Sequence, residues 1–184
     1  MTKLSHLVTL AIVAVPASAG AAVMTVGSGY AASCYEFAEG RDSTTRAVDV
    51  CNRALSEQAL APDDRVATLV NRGILLLRRQ NVQSANADFD EALRMDPHQA
   101  EAWLNKAVAH ARFGKSTDAM PMVAKALEYG TRKPALAYFV RAMANEDSGN
   151  IAAAYHDLQR ARKLDPKWSE PRIELQRFQV RSGG

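Results

Sequence analysis

The sequence predicts an all-α fold, a short α-solenoid of helix-turn-helix repeats closed by a C-terminal capping helix. Three observations predict it. Residues 66–99, 100–134 and 135–168 repeat one pattern with lengths of 34, 35 and 34, a period at which no unit buries its own apolar face and stacked neighbours supply the core. Small residues recur in register: Gly73, Ala107 and Ala142 at the eighth position, Ala85, Ala119 and Ala154 at the twentieth, Ala92, Ala126 and Ala161 at the twenty-seventh. Such positions let two helices approach closely, while large residues at the fourth (Leu69, Trp103, Tyr138) and twenty-fourth (Phe89, Val123, Leu158) fill the layer between them. The third observation is punctuation. Gly114 and Gly149 stand where a first helix should stop, Asn81 and Asn150 where a second should be capped, and Asp96-Pro97 and Asp165-Pro166 where two of the units end.

The elements before the repeats are taken in chain order. Residues 1–19 read as an export signal: Lys3, an apolar run over residues 7–15, the breaker Pro16, and Ala17-Ser18-Ala19 as a cleavage site. An uncleaved anchor over residues 7–26 is the alternative, because no acidic or basic residue falls between Lys3 and Glu36. Residues 20–30 follow as a linker. Residues 31–65 form a degenerate unit with a short first helix ending at Gly40 and a second helix over residues 43–57, where Ala47, Cys51, Ala54 and Leu55 fall in register. Residues 169–184 hold the capping helix and tail, with Ser169 as N-cap, Pro171 in the first turn, and Ile173, Leu175 and Phe178 among charges.

The 184 residues are 47% hydrophobic and 23% charged, which suits one domain with a real core. The net charge of +3 is too small to point to nucleic acid, and the basic stretch over residues 160–181 is explained by a solvated terminal helix.

The repeat pattern resembles the tetratricopeptide repeat family. Trp103, Ala107, Ala119 and Ala126 match its signature spacing, as do Gly73, Ala85, Phe89, Ala92 and Pro97. The chain departs from the family at the eleventh position, with Leu76, His110 and Asn145 in place of Tyr, and at Thr131 in place of Pro. The resemblance implies a concave face built by the first helices and facing a protein or peptide ligand. Carried over residue by residue, that face comprises Ala67, Val70, Asn71, Ile74, Leu77 and Arg78, then Glu101, Leu104, Asn105, Val108, Ala111 and Arg112, then Leu136, Phe139, Val140, Met143, Glu146 and Asp147. It is largely apolar with a basic rim at Arg78 and Arg112 and an acidic rim at Glu146 and Asp147, a surface suited to an extended or helical peptide with apolar anchors. Its competing use is to be covered by the chain's own amino-terminal segment or by a second copy, since large apolar patches seldom stay bare. Family members that clamp the acidic carboxyl termini of cytosolic chaperones carry Lys and Arg where this chain has Val70, Ile74, Leu136 and Val140. Only Asn105 matches that pattern.

Cys34 occupies the seventh and Cys51 the twenty-fourth position of the degenerate unit, next to the register places where Arg72 faces Asp88 and Arg141 faces Asp157. A structural disulfide fits an oxidising compartment; two buried thiols or a redox pair are the alternatives, the last without a C-x-x-C motif. Gly114-Lys115-Ser116 imitates the end of a phosphate loop, but the earlier glycine is replaced by Ala109 and the segment joins two helices, so Gly114 reads as a stop and Ser116 as a cap. His98, His110 and His156 have no second ligand at metal spacing. The expected function is that of an exported, periplasmic or secreted, non-enzymatic adaptor without cofactor, metal or nucleic acid. The first competitor is a structural protein that self-assembles as a homodimer or is tethered to the membrane; a thiol-dependent redox factor is the third.

Overall fold

The computed structural model describes residues 20–25, 29–40, 42–114 and 116–178. The proposed leader at residues 1–19, and with it most of the alternative anchor, lies outside the described residues. Among the described residues there are nine α-helices and no strand: α1 (Tyr30–Glu39), α2 (Thr45–Glu57), α3 (Pro62–Arg78), α4 (Val82–Met95), α5 (Ala100–Phe113), α6 (Met120–Glu128), α7 (Pro134–Asp147), α8 (Ile151–Leu164) and α9 (Glu170–Leu175). No helix among them is long and apolar enough to cross a membrane. The helices pair as hairpins, α1 with α2, α3 with α4, α5 with α6 and α7 with α8; each first helix also packs on the next first helix, and α9 covers α8. The fold is a tetratricopeptide-like solenoid.

The register explains the packing. Ala85, Ala92, Ala107, Ala119, Ala126, Ala154 and Ala161 are buried, and Phe89, Val123 and Leu158 fill the space between the helices of each hairpin. At Gly73 a Cβ would lie 2.9 Å from two ring atoms of Phe89 and closer still to Cε1, so unit one has room for its large ring only because position eight is glycine. Three helices end alike. The amide of Asn81 donates to Leu76 O, that of Thr131 to Ala126 O and that of Asn150 to Asn145 O, each across a left-handed residue: Gln80 (φ 62°), Gly130 (φ 80°) and Gly149 (φ 77°) respectively. Gly130 thus closes α6, whereas Gln80 and Gly149 close α3 and α7.

Several local expectations change. The helix α3 begins at Pro62, one turn ahead of the repeat boundary at residue 66, because Pro62 sits in the first turn with Asp63 and Asp64 at the positive end of the helix dipole. Asn81 caps α4 by accepting from Ser84 N at 3.3 Å, but Asn150 makes no side-chain cap bond. Ser116 does not cap its helix; it opens a 3₁₀ turn over Ser116–Ala119, and its hydroxyl donates to Asp147. Pro121 stands in the first turn of α6 and lacks the N–H that would bond one turn back, which leaves α6 short and its entry 3₁₀. Ser169 is already helical at φ −74° and ψ −29°, so its oxygen cannot reach the amides of the first turn, and α9 ends at Leu175.

The amino-terminal unit is closed by a disulfide between Cys34 and Cys51, both fully buried, with their Cα atoms 4.9 Å apart. At the corresponding joint, Arg72 donates to both carboxylate oxygens of Asp88 at 2.6 and 2.8 Å, and Arg141 does the same to Asp157 at the same two distances. Unit two has Lys106 and Met122 there, and Lys106 pairs instead with Asp90 of the preceding helix.

A candidate binding face holding an extended segment

The first helices α3, α5 and α7 present the positions carried over from the repeat pattern, and these positions converge. Val70, Asn71, Ile74, Leu77, Leu104, Asn105, Val108, Leu136, Phe139, Val140 and Met143 are all buried. The face is not bare, and its cover is the first of the competing uses named from the sequence, the chain's own amino-terminal segment. Residues 20–25, expected as part of a linker, lie along it in extended form, with Ala21 and Ala22 almost completely enclosed at 1% and 2% exposure. The physical reason is the one already noted: an apolar patch of this size lowers its free energy by covering itself.

Two asparagines at the sixth position of successive units hold the segment by its main chain. Asn105 Oδ1 accepts from Ala21 N at 3.2 Å while its Nδ2 donates to Ala21 O at 3.1 Å. Asn71 repeats the arrangement on Val23, accepting from its N at 2.7 Å and donating to its O at 2.6 Å. An extended chain directs the N–H and C=O of one residue to the same side and those of the next to the opposite side. Ala21 and Val23 therefore both face the asparagines, and the carbonyl of Ala22 points away, where Arg132 donates to it. A side-chain amide supplies one donor and one acceptor in a plane, so each asparagine acts as a one-residue strand edge.

The side chains alternate as the main chain does. Ala21 enters the cluster that contains Leu77, Leu104, Val108 and Phe139, whereas Ala22 enters the one that contains Val66, Val70, Ile74 and Ala102. Space is limited at both ends of this contact. A Cβ on Gly20 would stand 2.9 Å from Ile74 Cγ2, and Thr25 is buried with its hydroxyl unpartnered. Met24 alone projects to solvent, at 60% exposure.

The expected rims are committed elsewhere. The guanidinium of Arg78 donates to Phe37 O, Ala38 O and Gly40 O, satisfying carbonyls that α1 leaves open at its carboxyl end. Burial lowers its pKa from the ordinary arginine value, and it remains a cation. Arg78 is therefore a clasp on α1 and not a rim free to meet a ligand. Arg112 is half-buried and lies over the ring of Phe113 at 4.9 Å. Glu146 pairs with Arg177, and Asp147 accepts from Ser116. Phe139 packs on Trp168 with ring centroids 4.8 Å apart, so it serves the core as well as the face.

Two groups at the face escape a reading based on repeat register. Arg132 lies in the loop between α6 and α7, outside the first-helix positions, and is held by buried Glu101, whose Oε1 accepts from Arg132 N at 2.9 Å. The segment itself is the other. The signals present in the sequence were the two asparagines at one register position and the run of small residues after Ala19. Among the described residues no group of three His, Cys, Asp or Glu side chains is placed to hold a metal ion.

No curated protein matches this chain. The tetratricopeptide repeat model matches residues 70–135, which span the asparagine-bearing face of units one and two, and this part of the chain is thereby similar to a family whose repeats generally serve protein–protein interaction.

Proposed function

We propose that this is an exported adaptor, periplasmic or secreted, that binds a partner protein through the concave face of units one to three. The observation that carries this reading is the double asparagine clamp, which grips main-chain groups only and is therefore suited to an extended segment of another protein. Cleavage after Ala19 would make Gly20 the first residue, at the start of the docked segment. The bridged and fully buried cysteines give the redox reading no accessible thiol.

In-cell crosslinking followed by mass spectrometry tests the face. The wild type should yield a partner that an Asn71→Ala/Asn105→Ala double variant loses; retention of every crosslinked partner in a folded double variant would refute the assignment. Phe139→Glu is a poor probe, because Phe139 also supports Trp168. Fractionation with amino-terminal sequencing tests export, with Gly20 expected as the first residue. A cytoplasmic chain that keeps Met1 would refute it. A stable dimer in solution that survives the double variant would favour the self-assembling alternative.

A further inference from the structure

We propose that residues 20–25 are a tethered pseudo-ligand, and that the partner of this face is a protein presenting an extended segment with alanine-sized side chains at two successive positions. The inference rests on the concave face being the binding face and adds what that face selects. Selection by the asparagines is for backbone, since all four of their bonds to the segment go to Ala21 and Val23 main-chain atoms. Selection for side chain comes from the walls. Ala21 and Ala22 are enclosed at 1% and 2% exposure, so a larger residue at either place meets packed atoms, while Met24, at 60%, is unconstrained.

The contact has the features of a bound ligand more than those of a core element. The segment contributes no helix to the stack, and the layer between the paired helices of each repeat is filled by Phe89, Val123 and Leu158 of the repeats themselves. Only residues 26–29 separate it from α1, a tether short enough to give an effective concentration on the order of millimolar. A partner must therefore compete with the segment. Its apparent affinity falls by the fraction of molecules in which the face is open. Arg132 completes the site from the side opposite the asparagines by bonding the Ala22 carbonyl, and Glu101 fixes its backbone amide and pairs with its guanidinium, Nε to Oε1, at 3.6 Å.

The test uses the full chain and a fluorescent hexapeptide of sequence Gly-Ala-Ala-Val-Met-Thr. Ala21→Asp places a charge in the apolar wall and should expel the chain's own segment while leaving the face intact. Fluorescence anisotropy should then show the peptide binding this variant at least about tenfold more tightly than the wild type, with the gain abolished by adding Asn105→Ala. Equal binding to the variant and the wild type, or no binding to a variant that keeps its helical circular dichroism, would overturn the proposal. Hydrogen exchange on the wild type gives a second reading that does not depend on the variant folding. The amides of Ala21 and Val23 should be protected and should lose protection when excess peptide is added. Unprotected amides, amides that no excess of peptide exposes, or protection that disappears on dilution to monomer would each overturn it, the last by placing the segment in a second copy. If the peptide competes but crosslinking finds no face-dependent partner, the adaptor reading fails while the pseudo-ligand stands. The opposite pair of results separates them the other way.

Discussion

Units one and three share a fold and a register but build the same three joints differently in detail. At the joint between the seventh and twenty-third positions, both use a bidentate arginine–aspartate pair, yet Asp157 in unit three also accepts from Asn145 Nδ2 at 3.0 Å, whereas Asp88 in unit one has, among the described residues, only Arg72. At positions eight and twenty-four, unit one sets Gly73 against Phe89, and unit three sets Ala142 against Leu158. At position fifteen both units turn left-handed, unit one through Gln80 and unit three through Gly149. The comparison teaches that the repeat conserves a geometry and a volume, not a set of residues. The amino-terminal unit is the limiting case, with a covalent bond near the place where its neighbour has an ion pair.

That limiting case gives the largest expected effect. Replacing both Cys34 and Cys51 by Ser should lower stability by about 3 kcal/mol, the loop-closure value for a crosslink of this span. Urea unfolding measures it. Because each unit touches only its neighbours, hydrogen exchange should rise in α1 and α2 first and least in α8. An unchanged midpoint with uniform exchange would show that the amino-terminal unit does not depend on its crosslink.

The ion-pair joint comes next. Asp88 is 5% exposed, and Arg72→Ala would leave its carboxylate buried without a partner, at a cost of about 2–3 kcal/mol. Arg141→Ala should cost about 1 kcal/mol less, since Asn145 still donates to Asp157. Equal losses in the two variants, measured by denaturant unfolding, would remove the distinction between the units. Gly73→Ala follows at about 1–3 kcal/mol, because the added Cβ collides with the fully buried ring of Phe89. Pairing it with Phe89→Leu recreates the Ala142–Leu158 combination of unit three and should recover part of that loss. A double variant no better than the single one would show that the two positions are not coupled.

What could be read from the sequence follows from how each feature is written in it. The hairpins and the small-residue joints are repeated, so comparing units exposes them, and the two cysteines stand next to the register places of the recurring arginine–aspartate pairs. Gly73 and Phe89 even signal their contact by departing together from the Ala–Leu and Ala–Val pairs elsewhere. Asn71 and Asn105 were visible at one register position, but their ligand was not. The bonds from Asn105 to Ala21 join residues 84 apart, and the segment has no counterpart in any unit. The bonds of Arg78 are hidden from the sequence for a related reason. Its register position implies a ligand-facing side chain, but the short α1 ends beside it with open carbonyls, and those bind the guanidinium. The short α6 depended on Pro121, a residue that the other units lack at that place.

The turn at position fifteen supplies the smallest effect and the sharpest contrast. Gln80 sits at φ 62°, where a side chain crowds the backbone, and Gly149 sits at φ 77° with no such cost. The amides around the two turns make the same bonds, Gln80 N to Leu77 O at 3.0 Å and Gly149 N to Glu146 O at 2.9 Å, so replacing the glutamine changes the intrinsic cost and not the hydrogen bonding. Gln80→Gly should therefore raise stability by about 0.5–1 kcal/mol, the steric relief exceeding the added freedom of glycine in the unfolded chain. Gly149→Gln should lower stability by a similar amount. Thermal unfolding of both variants reads the pair of signs together: if both substitutions destabilise, Gln80 makes a favourable contact through its side chain, and the two turns are equivalent in backbone alone.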